Sequence, residues 1–145
     1  MKTNFKNILI LFLFITICSS CSKTPNPEIS GQTDQAFIQD LTLLDASGKD
    51  VTAVKAVVPK TVVDLVTGLE RLDVAGTPLI ISVTVKAGTD LRNLYIRCIL
   101  SSQSKFAKVG PVMGGYTDFS SPKTYTITSQ TGKNVNTYTI KVVSQ

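Results

Sequence analysis

The chain has 145 residues, with 15 lysines and arginines against 10 aspartates and glutamates, and no histidine. Without histidine there is no Ser-His-Asp or Cys-His catalysis and no imidazole metal site. The three cysteines form no ligand set for zinc or an iron–sulfur cluster, and scattered basic residues leave no nucleic-acid footprint.

The first element in chain order is an export segment. Lys2 and Lys6 give a positive start, Ile8 to Ile17 an apolar run, and Ser19-Ser20 a small-residue site before Cys21. That order reads as a bacterial secretory signal. Ending in small-small-Cys, it takes the lipoprotein form, with Cys21 as the lipid attachment site. The position three before Cys21 is Cys18, where an aliphatic residue is usual, and Cys18 itself stands behind the bulky Ile17. A soluble secreted form and an uncleaved anchor are the alternatives, although the apolar run falls well short of the roughly 20 residues a spanning helix needs. Several acyl chains on Cys21 would hold the protein on a bilayer. Residues 1–20 are thus expected to be a cleaved lipoprotein signal, 21–35 a lipidated tether stiffened by Pro25 and Pro27, and 36–145 one folded domain. Ser22 is not Asp, so an inner-membrane retention signal is missing and the outer membrane is expected. Ser22 to Pro27 precede the first acid, Glu28, which leaves the side of that membrane open. Without the signal the domain keeps all 10 acidic residues and loses two of the 15 basic ones.

Strands follow. Phe37 to Leu44 predicts a first, closed by Asp45, Ser47 and Gly48; Val51 to Val58 a second, ended by Pro59; Thr61 to Val66 a third. No pattern settles Leu69 to Gly76. Pro78 to Lys86 is β-branched and apolar, as a buried strand should be, and Ala87 to Asp90 reads as a turn. In Leu94 to Leu100, alternation puts Leu94, Ile96, Cys98 and Leu100 on one face. With Cys18 discarded and Cys21 acylated, Cys98 has no partner for a disulfide and reads as a small, inert core residue. A short strand is expected around Phe106 to Val109, then an irregular loop with Gly110, Pro111, Gly114 and Gly115. The chain closes on a hairpin in which Tyr125 and Ile127 oppose Tyr138, Ile140 and Val142, with Gly132 in the turn. About seven short strands with no helical periodicity predict an all-β fold, an antiparallel β-sandwich.

The chemistry this leaves is sparse. Asp40, Asp45, Asp50, Asp64, Asp73, Asp90 and Asp118 are scattered, mostly at turns, where aspartate caps backbone amides. Asp45 to Asp50 lacks the alternating acids and final glutamate of a calcium loop. No metal site, cofactor or enzymatic activity is expected. For a ligand, the candidates are Tyr116, which could stack on a sugar ring, with Asp118 to orient it and Phe106 from the adjoining strand; Phe119 is expected to fill the core. The absence of tryptophan counts against a sugar platform.

From Ile80 onward the chain carries a V-x-V-x-x-G-T-D-L segment, a D-F-S-x-P turn and a final Y-T-I-T-x-x-x-G-x-x-x-x-Y-T-I-x-V hairpin. These resemble the cadherin-like and immunoglobulin-like β-sandwich modules of Bacteroidetes lipoproteins, many of unknown function and some found near polysaccharide-uptake systems. The resemblance covers about half of the mature chain and implies fold more than function. Two functions follow as expectations. One is a non-enzymatic envelope module that meets another protein or acts as a spacer. The other is a carbohydrate-binding accessory lipoprotein of a polysaccharide-uptake system. The expected partners are the membrane, through the N-terminal lipid, and an envelope protein or a glycan.

Overall fold

A computed structural model describes residues 33–145, so the signal, Cys21 and all but the last three residues of the expected tether lie outside the described part. Ten strands follow in order: β1 (Ile38–Leu44), β2 (Thr52–Val57), β3 (Thr61–Val63), β4 (Glu70–Leu72), β5 (Ile80–Val85), β6 (Leu94–Leu100), β7 (Lys108–Gly110), β8 (Tyr116–Thr117), β9 (Lys123–Thr128) and β10 (Val135–Ser144). A 3-10 turn at Ser102–Ser104 lies between β6 and β7. One sheet has the order β1-β6-β8 and the other β2-β5-β10-β9-β7, with β3 and β4 paired as a separate hairpin. The fold is all-β, and the two sheets close over one core.

Alternation explains what is inside. In β5, Ile81, Val83 and Val85 are fully buried between exposed or half-exposed Ile80, Ser82 and Thr84. In β10, Tyr138 and Ile140 point inward and Thr137, Thr139 and Lys141 outward, the period-2 pattern of a half-buried strand. Tyr125 lies opposite Tyr138 across the terminal hairpin. Gly132 makes the turn between these strands at φ +79°, the left-handed region that favours glycine. Leu41 and Leu43 from β1, with Leu94 and Ile96 from β6, supply the facing layer. Tyr138 spans both layers: its hydroxyl accepts the Ile38 amide at 3.2 Å, and burial pushes its pKa up to about 12. Cys98 is half-buried on the inward side of β6, and burial raises its thiol pKa.

Three features depart from the sequence expectations. The β5–β10 pair is parallel, with Ile140 opposite Ile81 and Val142 opposite Val83, in an otherwise antiparallel assembly. The expected third strand stops at Val63 instead of Val66, because Asp64 caps the Val66 and Thr67 amides in a turn, and the unsettled stretch from Leu69 forms β4, which pairs back on β3 through Thr61–Leu72 and Val63–Glu70. Asp34 and Gln35, assigned to the tether by composition, are buried. Asp34 accepts the Thr131 amide at 2.9 Å and the Thr131 hydroxyl, and its own carbonyl takes the Asn134 side-chain amide at 2.6 Å. These bonds fasten the incoming chain to the β9–β10 turn.

The register of β1 and β6 defines two ends. Ile38 faces Leu100 at the proximal end, where the chain enters, and Leu44 faces Tyr95 at the distal end. The proximal end also holds Ser101–Ser104 and the β9–β10 turn. The distal end holds the β1–β2 turn, the β5–β6 loop and β8.

Candidate functional site

The distal turns come from both sheets, and each is shaped by an aspartate. Asp45 accepts the Ser47 amide at 2.8 Å, the Ser47 hydroxyl at 2.6 Å and the Lys49 amide at 3.0 Å, all through Oδ1. The Ser47 hydroxyl and the Lys49 amide hold its carboxyl below the usual carboxylate range. Asp90 Oδ1 accepts the Arg92 amide at 3.0 Å, and Gly88 permits the preceding turn at φ +78°. Between these turns lies an open concavity of about 420 Å³, lined among others by Asp45, Ser47, Thr89, Asp90 and Asn93. Oδ2 of Asp45, Oδ2 of Asp90 and the Asn93 amide take no partner from the described residues, so they are available to a ligand's hydroxyls.

Tyr116 stands at the rim. On β8 it lies opposite Tyr95 of β6, with the rings 5.9 Å apart and near edge-to-face at 69°. Its hydroxyl donates to the Ala46 carbonyl at 3.3 Å, and Ala46 lines the concavity. The residue is 53% exposed, held from one side and open on the other. Asp118 follows at the same end, because the Phe119 amide donates to the Leu91 carbonyl at 2.7 Å while the Phe119 ring is buried in the core. The Ser120 hydroxyl and amide hold the Asp118 carboxyl below its usual range.

Phe106 is not brought to this site. The structure puts it outside β7, between Ser104, whose hydroxyl accepts the Phe37 amide at 2.7 Å, and Ala107, whose amide donates to the Ser104 carbonyl. That is the proximal end, separated from Tyr116 by the length of β6, roughly 20 Å for seven residues. Its exposed ring lies 4.8 Å from the Lys105 ammonium. The sequence grouped Phe106 with Tyr116 because only a strand and a loop separate them in the chain, but that strand reverses the direction. Conversely, Asp45, Ser47 and Asp90 were legible as turn residues and Asn93 was not singled out, and nothing local records that these turns meet in one site.

Among the described residues no group of His, Cys, Asp and Glu is placed to hold a metal ion, and no helix is long and apolar enough to cross a membrane.

Residues 73–142 match the family described as "SGBP, N-terminal". The span contains the β5–β6 loop, Tyr116 and Asp118, and leaves out the β1–β2 turn. Among solved structures, the chain is similar to a candidate glycoside hydrolase from Bacteroides thetaiotaomicron VPI-5482, with 23% identity and a TM-score of 0.42. That match covers 73% of this chain and 25% of the other, so the chain spans about a quarter of that protein's length. A candidate secreted protein from Bacteroides fragilis NCTC 9343 aligns over 79% of this chain and 98% of its own, with 16% identity and a TM-score of 0.45. No curated protein matches the chain.

Proposed function

We propose that this domain is a non-catalytic glycan-binding module of an envelope lipoprotein, accessory to polysaccharide uptake, and that it meets its ligand at the distal end. The observation that carries the proposal is the match of residues 73–142 to a family of surface glycan-binding proteins. That match favours the carbohydrate-binding expectation over the general interaction or spacer role. The geometry supports it in kind. A sugar offers C–H faces to an aromatic ring and hydroxyls to planar acceptors, and Tyr116 stands beside two carboxylates and an amide. The carboxyls of Asp45 and Asp118 are held ionised by local donors, so at neutral pH they accept hydrogen bonds and do not act as general acids. Attachment is proposed through a lipid on Cys21, with the outer membrane as the destination.

The test is affinity electrophoresis of the protein through gels carrying neutral glucans, mannans or xylans. Retardation by at least one of them is expected, with Tyr116→Ala weakening it about tenfold, or about 1.4 kcal/mol. The same change removes one exposed hydrogen bond and the edge-to-face contact with Tyr95, so it should cost only about 1–2 kcal/mol and leave the protein folded. Free migration through every gel would refute the proposal.

A further inference from the structure

The β3–β4 hairpin has no role in the distal site, yet it is braced more heavily than a connecting loop needs to be. At its tip Asp64 Oδ1 accepts the Val66 amide at 3.0 Å, the Thr67 amide at 2.9 Å and the Thr67 hydroxyl at 3.1 Å, while Oδ2 takes the Arg71 guanidinium at 3.3 Å. The Gly68 amide closes the turn on the Asp64 carbonyl at 2.8 Å. Where β4 leaves that turn, the buried Glu70 carboxylate accepts the Thr61 hydroxyl at 2.6 Å and the Ser101 hydroxyl. This bracing presents Leu65 and Val66, 100% and 94% exposed.

Gln103 fixes where that tip lies. Its side-chain amide donates to the Gly68 carbonyl at 2.9 Å, its side-chain oxygen accepts the Glu70 amide at 2.8 Å, and its backbone carbonyl accepts the Gln35 amide at 3.0 Å. One residue thus ties the hairpin to the point where the chain enters the domain. The charges around the tip are paired: Arg71 with Asp64, and Lys60 with Asp73 at 2.9 Å. A neutral, stiff projection ending in two bare aliphatic side chains does not suit a phosphate-rich or strongly charged surface. It suits the apolar boundary of a bilayer.

We propose that Leu65 and Val66 form a membrane-contacting tip which, with the N-terminal lipid, sets the domain upright so that its distal end faces away from the membrane. The proposal rests on the reading of Cys21 as the lipid site. The chain enters the domain at Asp34, at the proximal end, so the 13 residues from Cys21 to Asp34, which can span at most about 45 Å, tether the end that carries the tip. Two side chains are too little to anchor a protein; their effect is orientation. Because the tip is neutral, contact should not require anionic lipid or low salt.

The chain contains no tryptophan, so Leu65→Trp makes the tip the sole indole emitter. Two preparations on phosphatidylcholine vesicles carrying a doxyl-labelled lipid separate the two readings. One is the protein as made and processed by cells. The other is the chain from Cys21 onward, coupled through Cys21 to a maleimide lipid in a Cys98→Ser background. In the coupled protein, Leu65→Trp should show blue-shifted emission and at least threefold stronger quenching than Val112→Trp, whose site is 88% exposed on the β7–β8 loop. Equal quenching at the two positions, with water-like emission from Leu65→Trp, would overturn the proposal and point the tip toward a protein partner. Cell-made protein that fails to float with vesicles would count against lipidation alone, and quenching in the coupled form would then still uphold the tip.

Discussion

Asp64 illustrates how single residues set the local geometry of this chain. Its carboxylate gathers two backbone amides, a hydroxyl and a guanidinium, and the Thr67 and Val66 amides are the main cause of a pKa lowered to about 2 from the ordinary 3.8. A carboxyl whose folded pKa is depressed stabilises the fold above its unfolded value and loses that contribution as pH falls through the folded one. The β3–β4 tip should therefore keep its geometry down to about pH 4 and loosen as the pH approaches 2. In an NMR titration the Val66 and Thr67 amide shifts are expected to move together with a midpoint near 2. A midpoint near 4 would mean that the carboxylate is not engaged. The sequence shows why aspartates sit at 45, 64, 90 and 118, since each precedes residues whose amides it can cap. It does not show which of these turns meet in space.

The terminal hairpin of β9 and β10 alternates along both strands. Same-face alternation places Tyr138, Ile140 and Val142 opposite Thr137, Thr139 and Lys141, and the structure buries Tyr138 and Ile140 completely. Ile140→Ala should cost about 2–5 kcal/mol, the range for emptying a buried aliphatic site. Thr139→Ala, on the outer face, should cost well under about 1 kcal/mol. Denaturant melts distinguish these values easily, and equal effects would contradict the register. The strands legible in the sequence are those long enough for alternation to repeat: β1, β2, β5, β6, β9 and β10. Three-residue β3 and β7 were legible only with misplaced ends, as Thr61 to Val66 and Phe106 to Val109, and three-residue β4 was not legible, being held by Gln103 and Ser101 from a distant segment. Two-residue β8 is shorter still. Alternation also carries no sign of strand direction, which is why the parallel pairing of β5 with β10 was not legible. The tether boundary was misjudged for a related reason: Asp34 and Gln35 are polar, and polar composition reads as linker even where, as for Asp34, bonds to Thr131 and Asn134 repay the burial.

The whole molecule has two unlike ends. The proximal end gathers the incoming chain, the strapped β9–β10 turn and the apolar hairpin tip. The distal end gathers the open concavity between the two aspartate-shaped turns, Tyr116 and Asp118. The proposed lipid on Cys21 would hold the proximal end and leave the distal end open to the proposed glycan. The most direct test is an amide NMR titration of the domain with an oligosaccharide cut from whichever polysaccharide retards it in the gel. Shifts are predicted to cluster at Ala46, Ser47, Thr89, Asp90, Asn93 and Tyr116, with Leu65, Phe106 and Thr131 unmoved. Shifts centred on Phe106 or the β9–β10 turn, or none at saturating sugar, would contradict the account.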